Sequence, residues 1–310
     1  MNYKIILFGG NRLNENAPLS RLALFLKRKK IDFLVVTEKL HFKKNIDKKN
    51  SFGDFLKKNH IDFIIKEKID KKFLSKIVSN KTIGLSLNSI WKFKKDIIKL
   101  FNNKLFNYHA ASLPEERGAA NISWRILSNN YRFSINIHHV DKDYDTGNIV
   151  FKKTYKILKK NLLPKDYLEK INIIEKEFLE KFIINILKSK LKKKIKQSEK
   201  KSFYWPKLDA DKDGKINWDW DAENIVQFIK AFSKPYNGAY GFLKGKKIKI
   251  FNAKILKINR KFHPFQNGII FRVIKNDIYI SNHQQVILIN LNDTEGMKES
   301  FKFYLGKRFN

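Results

Sequence analysis

Cysteine is absent from the 310 residues. That removes a disulfide scaffold, a thiolate metal site and a cysteine nucleophile from consideration. Proline (6) and methionine (2) are scarce, and arginine (9) is far outnumbered by lysine (56). Arginine performs most bidentate phosphate recognition. A formal net charge of +35, made of 65 basic and 30 acidic residues, therefore reads as lysine enrichment from A/T-biased codons rather than as a dedicated nucleic-acid surface. Long apolar runs are missing too. No stretch approaches the ~18 residues a membrane-spanning helix needs. Met1 to Phe8 is too short for a signal-peptide core and runs into Gly9-Gly10. The expectation is a soluble, cytoplasmic protein with no membrane partner.

What is present is a large apolar fraction. Hydrophobic residues make up 43% and aromatics 14%, enough for a substantial core and against wholesale disorder. At ~100–200 residues per domain, the length predicts two domains. Residues 3–8, 31–36, 61–65 and 82–87 read as buried strands, and 18–29, 52–58 and 70–79 as helices between them. This alternation predicts an α/β, Rossmann-like parallel sheet with helices on both faces, over a first domain spanning 1–200. Ligands bind such sheets beyond the carboxyl ends of the strands, so the loops after strands are where a site belongs. Gly9-Gly10 is read as a tight turn, because Asn11, Arg12 and Leu13 break the dinucleotide-binding glycine spacing.

A long helical pattern from Leu163 to Lys196 overlaps the lysine-rich run Lys188–Lys201, and Pro206 breaks the chain. Beyond it, one amphipathic helix (221–232) precedes short strands at 239–243, 246–251, 268–274, 278–281 and 285–290. These predict a second domain, 203–310, that is a small closed β-barrel of the OB type. Within it, Asp209 to Ile216 matches the first eight positions of a calcium loop. The twelfth position, where a bidentate Glu is required, holds Trp220, so no metal is expected and the segment is read as an Asp-Gly turn.

The segment richest in chemistry is 104–149. Asn107 and His109 lie two apart on a predicted strand, so both side chains share one face at its carboxyl end. A Pro- and Gly-containing loop follows (Leu113-Pro114-Glu115-Glu116-Arg117-Gly118), then a helix through Trp124, a strand over 135–140, and Asp143-Tyr144-Asp145-Thr146-Gly147. An amide, an imidazole and a carboxylate on adjacent loops can polarise a carbonyl and shuttle a proton. A satisfied polar cluster at strand ends would show the same residue types. His138 and His139 are neighbours on a strand and point to opposite faces, so at most one can line the site. Both are left outside the candidate set, as core or surface histidines.

The run Asn107-Xaa-His109, Leu113-Pro114, Arg117-Gly118, Trp124 and Asp145-Thr146-Gly147 resembles the folate-dependent formyltransferase family, whose members act on methionyl-tRNA, glycinamide ribonucleotide or nucleotide-linked amino sugars. Gly214 to Trp218, Ala222-Glu223, Ala231-Phe232 and Pro235 to Ala239 resemble that family's C-terminal barrel domain. The resemblance implies transfer of a formyl group from 10-formyltetrahydrofolate to a primary amine. Asn107, His109 and Asp145 then take the catalytic positions: Asn107 and His109 as hydrogen-bond donors to the oxyanion, Asp145 orienting His109 and taking the amine proton through a water. It also implies a folate site along the loops that carry Leu85, Leu87 and Trp91 and Val140, Asp141 and Asp143.

The acceptor divides the family. The tRNA-acting pattern has Gly-Thr-Pro after the first strand, a Ser two residues after the His, a Gly-Ala-Ala-Pro loop, and a Gly/Pro-rich basic loop after the second strand. Here those places hold Gly9-Gly10-Asn11, Ala111, Gly118-Ala119-Ala120-Asn121 and the differently composed Lys39–Lys49. Ile90-Trp91, Ser123-Trp124-Arg125, Phe203-Tyr204-Trp205-Pro206 and Trp218-Asp219-Trp220 resemble the sugar-acting branch, where aromatics can stack on a base or sugar ring. Core packing is the competing reading for Trp124 and Trp218. The expected acceptor is a nucleotide-linked amino sugar, with initiator methionyl-tRNA as the alternative. A homodimer through the second domain is compatible with the sugar-acting branch.

Overall fold

The computed structural model describes residues 3–11, 17–47, 49–156, 162–191, 194–283, 285–297 and 304–310. Arg12, Leu13, Lys48, Lys192 and Lys193, which figure in the sequence reading, lie outside them. The chain divides into two compact units. One comprises residues up to 118, 132–156 and 170–204; the other comprises 119–131, 157–169 and 205–310.

The first unit is built on a seven-stranded sheet. Its strands are β1 (Lys4–Gly9), β2 (Phe33–Thr37), β3 (Phe63–Ile65), β4 (Thr82–Leu87), β5 (Leu105–His109), β7 (Arg132–His139) and β8 (Ile149–Lys156), in spatial order β3-β2-β1-β4-β5-β7-β8. A two-residue strand, β6 (Arg117–Gly118), lies outside the sheet. Helices α1 (Pro18–Arg28), α2 (Lys39–Phe42), α3 (Phe52–Lys58), α4 (Lys71–Leu74) and α5 (Lys95–Leu100) connect the early strands. The local causes are conventional. Pro18 pre-sets the first turn of α1, which buries Leu19, Leu22, Phe25 and Leu26. Ser51 and Asp54 form a reciprocal capping box on α3. Ile6 and Phe8 of β1, Val36 of β2, Leu74 of α4, Ile97 of α5 and Leu105 of β5 close one hydrophobic layer. Phe106 of β5 packs at 5.5 Å on Phe182, which lies on the long helix α7 (Pro164–Leu187).

The first five strands are parallel, as the alternation requires, but β7 runs antiparallel to β5 and β8 antiparallel to β7. The sheet is therefore mixed, and β8 is a strand the sequence reading missed. The nine residues between β7 and β8 are too few for a crossover and allow only a hairpin. The turn after β1 fits the tight-turn reading: Gly9 has φ 115°, and a Cβ there would lie 2.2 Å from the Leu87 carbonyl oxygen.

The second unit includes helix α6 (Asn121–Leu127), α8 (Ala210–Asp213) and α9 (Ala222–Ala231). Its strands form two antiparallel sheets, β10-β11-β16 and β12-β15-β14-β13. Here β10 is Ala239–Leu243, β11 Lys246–Ile250, β12 Lys254–Leu256, β13 Ile270–Ile274, β14 Asp277–Ser281, β15 Val286–Asn290 and β16 Thr294–Glu295, while β9 (Tyr204–Trp205) pairs with β6. All five expected strands are present, with β12 and β16 in addition. The last residues stitch the two sheets together, since Phe309 bridges Leu243 of β10 and Arg308 bridges Ile269 beside β13.

The calcium-like segment is satisfied by its own neighbours. Asp209 caps the N–H of Asp211 at 3.0 Å, and the Asp211 carboxylate receives Lys247 (2.8 Å) and Asn237 (3.0 Å). Trp124 stacks on Trp205 at 4.9 Å and donates its Nε1–H to the Pro206 carbonyl; Trp218 stacks on Phe309 at 4.8 Å. Trp218 is buried in the core, whereas Trp124 is only half-buried. No described helix is long and apolar enough to cross a membrane.

Candidate active site

Strand β5 sorts its side chains by alternation. Phe106 and Tyr108 face Phe182 and Phe178 of α7, at 5.5 and 6.3 Å. Asn107 and His109 project from the opposite face, at the carboxyl end where β5 lies between β4 and β7. The antiparallel register sets His138 of β7 directly opposite Asn107. The β7–β8 turn then returns Asp145 to the same place, with φ 58°.

Three side chains converge on one carboxylate oxygen. Oδ1 of Asp145 lies 3.3 Å from Nδ2 of Asn107, 3.6 Å from Nδ1 of His109 and 3.3 Å from Nε2 of His138. Oδ2 accepts the Gly118 backbone N–H at 3.0 Å. Asn107 Nδ2 is also 3.2 Å from His138 Nε2. The other nitrogen of each imidazole faces a main-chain carbonyl: Nε2 of His109 faces Glu116 (2.7 Å) and Nδ1 of His138 faces His139 (2.8 Å). A carbonyl only accepts, so those nitrogens carry protons. A proton on the nitrogen that either imidazole turns to Asp145 makes a charge-assisted bond to the carboxylate. The His109 and Asp145 side chains are only 9% and 12% exposed.

Burial alone would raise the Asp145 carboxyl. The charge on His109, the hydrogen bond and charge of His138 and the Gly118 N–H outweigh it and hold the group well below its ordinary 3.8. His139 behaves oppositely. It turns away from the cluster and packs at 4.9 Å on Phe106. Burial first, then the charges of Lys194 and His138, lower it from 6.5 to about 4. Because its folded value is depressed, the stability tied to neutral His139 is complete above pH 6.5 and is lost as pH falls toward 4. His139→Phe is expected to remove that part of the acid sensitivity. Melting temperatures recorded from pH 7 to 4 should then decline less steeply in the variant than in the wild type.

The six residues expected at a folate site divide by exposure. Leu85 and Leu87 are fully buried strand residues, so their side chains are closed to a ligand. Trp91 is half-buried, edge-on to Phe8 at 6.4 Å, with its indole N–H on the Glu67 carbonyl. Val140 packs against the same cluster, while Asp141 and Asp143 are exposed. The two loops meet, because the Lys92 ammonium lies 5.2 Å over the Tyr144 ring. The loop after β4 is fixed from below by buried Glu38, which accepts Ile90 N–H at 3.0 Å and pairs with His41 at 2.5 Å. Burial would raise the Glu38 carboxyl, but the His41 and Ile90 hydrogen bonds hold it below its ordinary value. Among the described residues no group of three or more His, Asp or Glu is arranged to hold a metal ion.

The structure thus brings Asn107, His109 and Asp145 together and adds His138, which the sequence reading set aside. Alternation correctly separated His138 from His139. What was missing was the β5–β7 register that puts His138 opposite Asn107. The Gly118 N–H was equally invisible, since a backbone donor leaves no trace in a side-chain pattern.

The mixed sheet thus sets an amide, two imidazoles and a carboxylate at the carboxyl end of β5, groups that can polarise a carbonyl and move a proton. Comparison with known proteins gives the class. Residues 93–183 match the family model described as formyl transferase, and residues 210–300 match the formyl transferase C-terminal domain. A methionyl-tRNA formyltransferase of Clostridium tetani is 31% identical over 219 residues, which cover 70% of this chain and 67% of that protein. A sugar 3N-formyl transferase, WlaRD, crystallised with dTDP and 5-N-formyl-THF, superposes with a TM-score of 0.69 at 22% identity, over 94% of this chain and 99% of that one. An N-formyltransferase of Helicobacter canadensis, in complex with folinic acid and dTDP-3-aminofucose, gives 0.68 at 22% identity, over 93% and 99%. The chain belongs to the formyltransferase family and is a formyl-transferring enzyme.

Proposed function

We propose that this enzyme formylates the primary amine of a nucleotide-linked amino sugar, using 10-formyltetrahydrofolate as donor. The convergence of Asn107, His109, His138 and the Gly118 N–H on Asp145 carries the reading of the site. The fit of the donor rests on the meeting of the loops at 88–92 and 140–145. Half-buried Trp91 and Val140 offer an apolar wall beside exposed main chain, which suits a flat, hydrogen-bonding heterocycle. When bound, the folate supplies the formyl group and accepts the amine's proton on N10 as the C–N10 bond breaks. Asn107 keeps one N–H on Asp145 and turns the other, now facing Nε2 of His138, to the formyl oxygen as negative charge develops there. His109 contributes positive charge; a hydrogen bond from its Nε2–H requires exchange of the Glu116 carbonyl for the formyl oxygen. Asp145, anionic at neutral pH, is a weak base held in place. It relays the proton of the newly formed, acidic ammonium through water rather than deprotonating the free amine.

The sugar reading draws support from the sequence departures at Gly9–Asn11 and Ala111. It also draws on Phe203 and Tyr204, which are exposed while the Phe203 carbonyl accepts the Arg117 N–H at 3.1 Å. Two exposed rings anchored next to Gly118 suit a base or sugar face. The second reading, initiator methionyl-tRNA, is favoured by the activity of the Clostridium tetani relative. All groups of the cluster fall within residues 1–200, to which we assign catalysis, with 203–310 as the OB-type domain.

The deciding measurement offers the enzyme 10-formyltetrahydrofolate with methionyl-tRNA and with a panel of nucleotide-linked 3- and 4-amino sugars. Formylation of a sugar amine is the expected result; efficient formylation of the tRNA alone would overturn it. Salt gives an independent reading. A tRNA contacting several phosphates should lose affinity with a log–log slope of about −0.9 per neutralised phosphate, the value for duplex DNA. A nucleotide sugar should respond far more weakly.

A further inference from the structure

The connection after α7 crosses the lysine-rich run and lies between the two family-matched segments, 93–183 and 210–300. Its described residues dock on the catalytic turn. Ile195 exchanges both backbone hydrogen bonds with Ile149 of β8, at 2.9 and 2.8 Å. Two residues on, buried Gln197 spreads its amide across the turn: Nε2 donates to the carbonyls of Asp145 and Gly147, each at 2.7 Å. Its Oε1 accepts Nε–H of buried Arg117 at 3.2 Å. Arg117 in turn grips Glu199 with both terminal nitrogens, at 2.9 and 2.8 Å.

We infer that Gln197 is a positioning residue for formyl transfer, holding the 145–147 turn so that the Asp145 carboxylate reaches His109, and that Arg117 and Glu199 lock Gln197 in turn. The inference rests on the formyl-transfer reading given above. Asp145 sits at φ 58°, a conformation non-glycine residues keep only where surrounding contacts impose it. The Gln197 amide satisfies the two carbonyls on either side of Thr146 at once, which fixes the turn's backbone from outside. Arg117 precedes Gly118, whose N–H holds Oδ2 of the same carboxylate. One tether therefore sets both the backbone and the side chain of Asp145.

Gln197→Glu tests this with the same shape. A carboxylate can still accept from Arg117 but has no N–H for either carbonyl. The expected result is a kcat more than tenfold lower, with KM for donor and acceptor changed less than threefold. Arg117→Lys, which keeps the charge and loses the fork, should fall between Gln197→Glu and wild type. A second readout needs no substrate. With Asp145 carboxyls labelled by 13C, the wild-type signal should not titrate between pH 7 and 4. In Gln197→Met, which adds no charge beside Asp145, the carboxyl loses its His109 and His138 partners but stays buried, so it should titrate within that range. A kcat within tenfold of wild type, or a kcat loss with the Asp145 signal still flat, would overturn the proposal. Gln197→Met also replaces Gln197→Glu in the kinetics if the latter does not fold. If wild type formylates no acceptor while the Asp145 signal still shifts in the variant, the functional reading fails and the tether stands.

Discussion

Asp145→Asn is expected to lower kcat/KM by about 10³-fold or more, roughly 4 kcal/mol of transition-state stabilisation, while leaving the fold intact. The two side chains have the same shape. The Asn oxygen takes the place of Oδ2 on the Gly118 N–H, which turns the amide NH₂ toward Nδ1 of His109 and Nε2 of His138. Neutral imidazoles can accept there, while Asn107 Nδ2 loses its acceptor at that position and keeps its contact with Nε2 of His138. The cluster loses the anion that stabilises an imidazolium and relays the amine proton. Linkage gives a second signature. The folded pKa of Asp145 is depressed, so its contribution to stability is complete above 3.8 and is lost as pH falls below that. The difference in melting temperature between wild type and variant should shrink as pH falls below about 4. Steady-state kinetics and calorimetry check both parts. Retention of a tenth of wild-type activity would remove Asp145 from the reaction.

Those residues were legible because their signals are local. Asn107 and His109 declare a shared face by their spacing on a strand, and Asp145-Thr146-Gly147 marks a turn. Gly147 has no alternative, since a Cβ there would sit 1.9 Å from the His139 carbonyl oxygen. The parallel strands were legible for the same reason, each being a short apolar run closed by a turn. What escaped the sequence is non-local. Strand β8 reads Ile-Val-Phe and then Lys-Lys-Thr-Tyr-Lys; its outer half, at the edge of the sheet, is mostly exposed, so the apolar signal stops after three residues. Without β8, the β5–β7 antiparallel register could not be set, and His138 remained one of two indistinguishable neighbours. Gln197 was hidden by composition. It lies in a run of lysines that reads as a solvated helix end, yet the helix stops at Leu187, and the buried residue beyond it holds the catalytic turn.

Asn107 is the residue whose replacement should separate hydrogen-bond donation from mere packing. Asn107→Ala removes the donor to Asp145 and to the developing oxyanion, and loss of one such donor lowers kcat by about 10²–10³-fold. Asn107→Asp removes the same donor and adds a second carboxylate where Nδ2 now lies, 3.3 Å from Oδ1 of Asp145. Two carboxylates at that distance cannot both ionise freely, so the pair would hold a proton that Asp145 alone does not hold at neutral pH. The Asp variant should therefore be the less active of the two at pH 7, although it is closer to wild type in size. Activity set by packing would give the reverse order, because alanine leaves a cavity and aspartate does not. Donor strength predicts that kcat moves while KM for the amine stays nearly constant, since the formyl oxygen calls on Asn107 most strongly as charge builds on it. Comparing kcat and KM for the two variants at pH 7 decides the matter. If Asn107→Asp proved more active than Asn107→Ala, the amide would be filling space, and the task of stabilising the oxyanion would pass to His109.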